Sequence, residues 1–105
     1  MKDICFIEII EKNIKSDTII NNWSIDNKCK IPYYKYLGTE SCKCILEHPQ
    51  TKKKIQVPEK SFQYLYRNWQ NYKKGERPRN ELRNNDQYTT YTICILHYLE
   101  ENGII

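Results

Sequence analysis

The stretch PEKSFQYLYRNWQNYKKG, residues 58–75, decides how the rest of the chain is read. Phe62, Leu65, Tyr66, Trp69 and Tyr72 recur at the intervals that align side chains on one face of an α-helix. Pro58 suits a first helical turn, Glu59 suits the positive end of the helix dipole, and Gly75 supplies a stop. The opposite face shows Lys60, Gln63, Arg67, Gln70 and Lys74. One side of this helix therefore packs, and the other is free to meet phosphate.

Upstream of Pro58 the apolar period drops to two, the mark of half-buried strands. From Ser41 to His48, Cys42, Cys44 and Leu46 alternate with Lys43, Ile45 and Glu47, and Ile55 and Val57 share a face in Lys54 to Val57. The turn formers Pro49-Gln50-Thr51-Lys52 join these two runs into a hairpin. Ile31 to Leu37, ending at Gly38, adds a third strand, with Tyr33 and Lys35 on one side and Tyr34 and Tyr36 on the other. Nearer the N-terminus, Ile4, Ile7, Ile10 or Glu11, and Ile14 predict a helix over about residues 2–14. Ser16-Asp17 then either caps a short helix holding Ile19, Ile20 and Trp23, or leads the same residues into a strand.

Downstream, residues 76–87 contain Pro78, three arginines and one aliphatic anchor, Leu82, and predict a connector with at most a short helical turn. Tyr88 to Glu101 is rich in β-prone Thr and Ile. Asp86 as a cap, Gly103 as a stop and a stripe of Tyr91, Ile95, Tyr98 and Leu99 nevertheless favour a helix. The expected fold is α+β: a three-stranded antiparallel meander packed with an N-terminal helix and two C-terminal helices. It forms one small domain over residues 1–105, helical in 1–27, sheet in 31–57, and helical again in 58–75 and 87–102.

Composition bounds the function. A 105-residue chain that is 39% hydrophobic and holds nine tyrosines and two tryptophans folds around one core. Five cysteines without regular spacing, and no basic-then-apolar leader in residues 1–11, make a reducing cytoplasmic location the expectation. The longest apolar run near the C-terminus, Ile93 to Leu96, is too short to cross a bilayer, so no membrane role is expected. The net charge of +4 conceals an asymmetry. Residues 1–27 carry three Lys against five acids (net −2), residues 28–83 fourteen Lys and Arg against five acids (net +9), and residues 84–105 three acids and no Lys or Arg (net −3). A polyanion would meet the middle segment.

The candidate contacts are Lys52, Lys53 and Lys54 at the hairpin tip, Arg67 on the aromatic helix, Lys73 and Lys74 closing it, and Arg77, Arg79 and Arg83 beyond. Lys and Arg neutralise phosphates, and Arg also forks onto guanine edges. Charge runs also simply solvate loops, and helix ends favour Lys through the dipole. A tyrosine beside lysine, as in residues 33–36, offers either a stacking platform for an unpaired base or ordinary core packing. Thr89, Thr90 and Tyr91 begin the last helix, where amides and hydroxyls hold a phosphate oxygen or are used up in capping.

Cys42 and Cys44, with Cys29 and His48, lack the tight turn and second ligand pair of common zinc sites, so no metal is expected. Cys94 and His97 are a helical i, i+3 pair, read as a core cysteine beside a tolerated histidine rather than nucleophile and base. With three glycines, no phosphate loop and no clustered carboxylates, neither a cofactor nor catalysis is expected.

Glu59 to Gly75, followed by Arg79-Asn80-Glu81-Leu82-Arg83 and Thr89-Thr90-Tyr91-Thr92-Ile93, resembles small DNA-associated domains that accompany prokaryotic restriction and other mobile defence genes. The likeness covers under half the chain and implies recognition of double-stranded DNA through Arg79, Arg83, Thr89, Thr90 and Tyr91. The expected function is non-catalytic DNA binding. The alternatives are a protein-interaction module or inhibitor from a mobile element, whose acidic ends (Asp3, Glu8, Glu11, Glu100 and Glu101) face a basic partner, and RNA binding through the tyrosine-bearing sheet.

Overall fold

The computed structural model describes residues 5–23 and 31–105. Its elements are α1 (Phe6–Asn13), β1 (Thr18–Asn21), β2 (Tyr33–Glu40), β3 (Lys43–Glu47), β4 (Lys54–Pro58), α2 (Glu59–Lys73), α3 (Arg79–Asn85) and α4 (Thr89–Glu101). The strands form one antiparallel sheet in the order β1-β2-β3-β4. The sheet thus has four strands where periodicity predicts three, and the segment read as helical over 1–27 contains β1. Asp17 takes a positive φ of 72° and donates its amide to the Tyr36 carbonyl, which turns the chain out of α1 and onto the edge of β2. The β-branched Thr18-Ile19-Ile20 then settles as a strand, with Ile20 buried opposite Tyr34.

Register explains which side chains go inside. Thr18, Tyr36, Leu46 and Ile55 form one cross-strand row, and Ile20 with Tyr34 and Cys44 with Val57 extend the same face. These residues, apart from Thr18, join Phe6, Ile7 and Ile10 of α1, Phe62, Leu65, Trp69 and Tyr72 of α2, Leu82 of α3, and Ile93, Ile95, Leu96 and Leu99 of α4 in a single hydrophobic cluster. The other face shows the row Ile19, Lys35, Glu47 and Lys54, and there Ile19 is 47% exposed.

Several local details depart from the periodic reading. β2 does not stop at Gly38 but runs on to Glu40 through a register shift between Tyr36 and Gly38, where glycine takes a φ of +135° that other residues avoid. Ser41 and Cys42 both have positive φ, 50° and 60°, so they form the two-residue link between β2 and β3 and Cys42 lies outside the strand. Residues 79–85 form a seven-residue helix rather than a turn, anchored by buried Leu82. On α2, Tyr66 is 40% exposed while Ser61 and Asn68 are buried, so the core stripe is rotated from the one read in the aromatic spacing.

One carboxylate joins two helix starts. Glu59, the first residue of α2, accepts the amides of Phe6 (3.0 Å) and Ile7 (2.8 Å), which have no partner inside α1. Gln63 Nε2 donates to the same carboxylate at 2.8 Å. No side chain of α1's own flank caps its amides. Replacing Glu59 with Ala strands both amides and is expected to cost about 1–2 kcal/mol of unfolding free energy. Denaturant titration measures this, and Glu59→Gln, which keeps one acceptor oxygen, should recover part of it. A change within scatter would mean that packing alone holds α1.

Candidate nucleic-acid interface

The β3–β4 turn is built around an imidazole. His48 donates its amide to the Lys53 carbonyl (2.9 Å) and accepts the Lys52 amide at its own carbonyl (3.0 Å). Its Nδ1 accepts the amides of Gln50 (3.2 Å) and Thr51 (3.3 Å), and Thr51 Oγ1 accepts the Lys53 amide. With its turn amides satisfied internally, the tip presents Lys52, Lys53 and Lys54 as exposed side chains. Sequence spacing suggests only a metal-ligand role for His48, because an acceptor for turn amides has no spacing signature.

Facing this tip is the start of α4. His48, Thr51, Lys53, Lys54, Ile55 and Gln56 on one side, and Gln87, Tyr88 and Tyr91 on the other, enclose a groove of about 370 Å³. Segments more than thirty residues apart in sequence therefore meet here. Tyr91 packs edge-on to buried Tyr34, with centroids 5.2 Å apart, and half-buried Tyr88 stands beside it in the groove wall. Tyr36, on the same strand as Tyr34, lines a separate groove beside α1, and burial, followed by the neighbouring Cys44 and Glu11, pushes its hydroxyl up to about 12, so it stays neutral.

The first turn of α4 spends its polar groups on itself. Asp86 accepts the Tyr88 amide (2.8 Å), the Thr89 hydroxyl donates to the Asp86 carbonyl (2.7 Å), and Thr92 donates to the Thr89 carbonyl (3.1 Å). Thr90 Oγ1 accepts Arg79 Nη2 at 2.6 Å, which pins α3 against α4. These hydroxyls are taken up by backbone carbonyls and by Arg79 and cap no helix amide, and Thr89 is buried.

The remaining candidates divide into two sets. Lys52, Lys53, Lys54, Arg67, Lys74 and Arg83 are exposed, with no ion pair among the described residues. Lys73, Arg77 and Arg79 are engaged within the fold. Arg77 pairs with Glu81 (3.2 Å) and donates to Asn68 Oδ1 and, at 3.4 Å, to the Tyr64 hydroxyl. Lys73 pairs with Glu100 at 2.6 Å and lies 5.4 Å from the centre of the Trp69 ring. Glu100 sits at the far end of α4, about 15 Å along the helix from Thr90 at 1.5 Å per residue. Lys73 is thereby held away from the groove.

Among the described residues no group of three His, Cys, Asp or Glu is placed to hold a metal ion, and Cys29 lies outside those residues. Cys42 is exposed and Cys44 buried, so they share no face. Burial, reinforced by Cys94, pushes the Cys44 thiol up and keeps it protonated and unreactive. His97 stacks flat on Trp23, 4.1 Å between centroids, while Cys94 donates to the Tyr91 carbonyl. Among the described residues no helix is long and apolar enough to cross a membrane.

The Lys73–Glu100 pair makes a pH prediction. Partial burial pushes the Glu100 carboxyl up, but hydrogen bonds from Lys73 and Trp69, with the charges of Lys73 and His97, outweigh it and hold the group below its ordinary value. The unfolded chain binds that proton more readily, so the contribution is complete above the ordinary carboxylate range and is lost as pH falls through the lowered value. Glu100→Gln is expected to flatten this acid limb and to cost on the order of 1 kcal/mol at neutral pH, discounted for solvent screening. Unfolding midpoints measured from neutral to acidic pH check it. In comparisons with family models, curated proteins and solved structures, the chain matches none.

Proposed function

We propose that the protein is a non-catalytic nucleic-acid-binding module, with DNA the expected partner, and that the groove between the β3–β4 turn and α4 is its contact surface. The observation that carries this reading is convergence. Lys53 and Lys54 lie across one groove from Gln87, Tyr88 and Tyr91, with exposed Lys52 beside them on the turn. Cations there neutralise phosphates while amide and tyrosine side chains meet bases or sugars. Arg83 on α3, four residues before Gln87 along the chain, is a further exposed cation.

A second reading, a protein-interaction module for a basic partner, is favoured by exposed Glu8, Glu11 and Glu40 around another groove of about 360 Å³, between α1 and the β2–β3 turn. Capture of a partner from lysate that survives nuclease treatment would support it over the first.

The first reading predicts measurable affinity for nucleic acid at low salt, falling linearly on a log–log plot as salt rises. Replacing Lys52, Lys53 and Lys54 with Gln should lower the slope by about 0.7–0.9 for each phosphate that is no longer neutralised. Lys60→Gln, on the polar face of α2, serves as the control with a smaller effect. Undetectable binding to duplex DNA, single-stranded DNA and RNA at low salt would sink the reading.

A further inference from the structure

We propose that the groove takes an unpaired nucleic-acid strand, its bases against the open edge of β4 and its phosphates on Lys52, Lys53 and Lys54. This rests on the nucleic-acid reading above and narrows it to one substrate class.

The edge of β4 carries the argument. β4 is the last strand of the sheet, paired only with β3. In an antiparallel ladder, successive residues point their N–H and C=O groups alternately toward the partner strand and away from it. The bond from the His48 amide to the Lys53 carbonyl sets the phase. Lys53, Ile55 and Val57 are turned toward β3, and the backbone groups of Lys54 and Gln56 point off the sheet. Pro58 falls on the next outward position, where the N–H it lacks would have had no sheet partner. Among the described residues no backbone hydrogen bond outside the ladder reaches Lys54 or Gln56.

Lys54, Ile55 and Gln56 are consecutive in the lining of the groove, so the groove runs along this edge. A ligand there meets outward backbone donors and acceptors, the carboxamides of Gln56 and Gln87, and the half-buried ring of Tyr88. Hydrogen-bonding groups of both signs beside an aromatic ring match the exposed edge and face of an unstacked base. The exposed lysines lie at one end of the same groove, where a backbone leaving it would pass.

Shape excludes the duplex from this site. A protein reads paired bases by pushing a helix or ribbon into a groove about 12 Å wide, so the reading element has to project. Here the lining is concave, and its 370 Å³ equals a cube about 7 Å on a side, the scale of an extruded base and not of a double helix. A duplex could touch only the lysines at the tip and would leave Gln56, Gln87 and Tyr88 unused.

The test is fluorescence anisotropy at low salt with labelled oligothymidylate, oligouridylate and a mixed-sequence duplex, using the full chain. Either single strand should bind at least about tenfold more tightly than the duplex, and the tighter of the two identifies the preferred sugar. Tyr88→Leu, which keeps apolar packing, and Gln56→Ala, at an exposed position, should each weaken single-strand binding about three- to tenfold and leave duplex binding unchanged. Circular dichroism confirms that each variant is folded, and Gln56→Ala decides alone if Tyr88→Leu is not. The proposal is overturned if the duplex binds as tightly as the single strands, or if folded variants bind single strands like the parent while Lys53→Gln with Lys54→Gln weakens all three. That second result leaves the nucleic-acid reading standing, whereas failure of every probe to bind removes both.

Discussion

An antiparallel meander that turns its buried residues, Ile45 apart, to one face has to be covered from that side, and this constraint organises the molecule. Ile20, Tyr34, Tyr36, Cys44, Leu46 and Val57 share the inner face, and buried residues of all four helices join them in one cluster. With its helices so committed, the chain leaves the outer face and the edge of β4 without a helix. The aromatic stripe of α2 supplies most of the bulk, since Phe62, Trp69 and Tyr72 are among the largest fully buried side chains. Glu59 then sets α1 in place by serving two helix starts at once, each end favouring the negative charge.

Covering one face also sorts the charges. A basic segment in the sequence is a statement about neighbours along a chain, and folding divides it. Lys73 becomes a clamp between α2 and α4 through Glu100, Arg77 reaches back to Asn68 and Glu81, and Arg79 locks α3 onto Thr90. These cations serve the fold first. The lysines of the β3–β4 turn remain outward: the backbone around them is satisfied by His48 and Thr51, and although Glu47 lies across from Lys54, none of the three forms an ion pair among the described residues.

What the sequence reveals follows the strength of local periodicity. α2 and β3 are legible because their apolar spacing persists over enough residues to exclude the other period, β4 because the turn formers pair it with β3, and α4 because a cap, a stop and a stripe outweigh its β-prone residues. β1 is not, since Thr18 to Asn21 is four residues long and becomes a strand only by lying against β2. α3 is not, since its one buried residue, Leu82, defines no stripe. In the candidate site, Lys53, Lys54 and Tyr91 could be named from charge and position. Gln56, Gln87 and Tyr88 could not, because amides and a tyrosine acquire meaning only once sheet order makes β4 an edge and brings α4 beside it. Long-range pairs such as Lys73 with Glu100, twenty-seven residues apart, are equally invisible to spacing.

The open edge of β4 has a further consequence, for how copies of the protein meet one another. A bare strand edge is a template for self-pairing, and chains that keep one exposed must guard it. Here Pro58 removes a donor at one end of the strand and the lysine triplet crowds the other. Two molecules aligning their β4 edges would bring two lysine triplets onto one small sheet and face a gap in the ladder at each proline. The lysines and the proline thus oppose self-pairing along this edge.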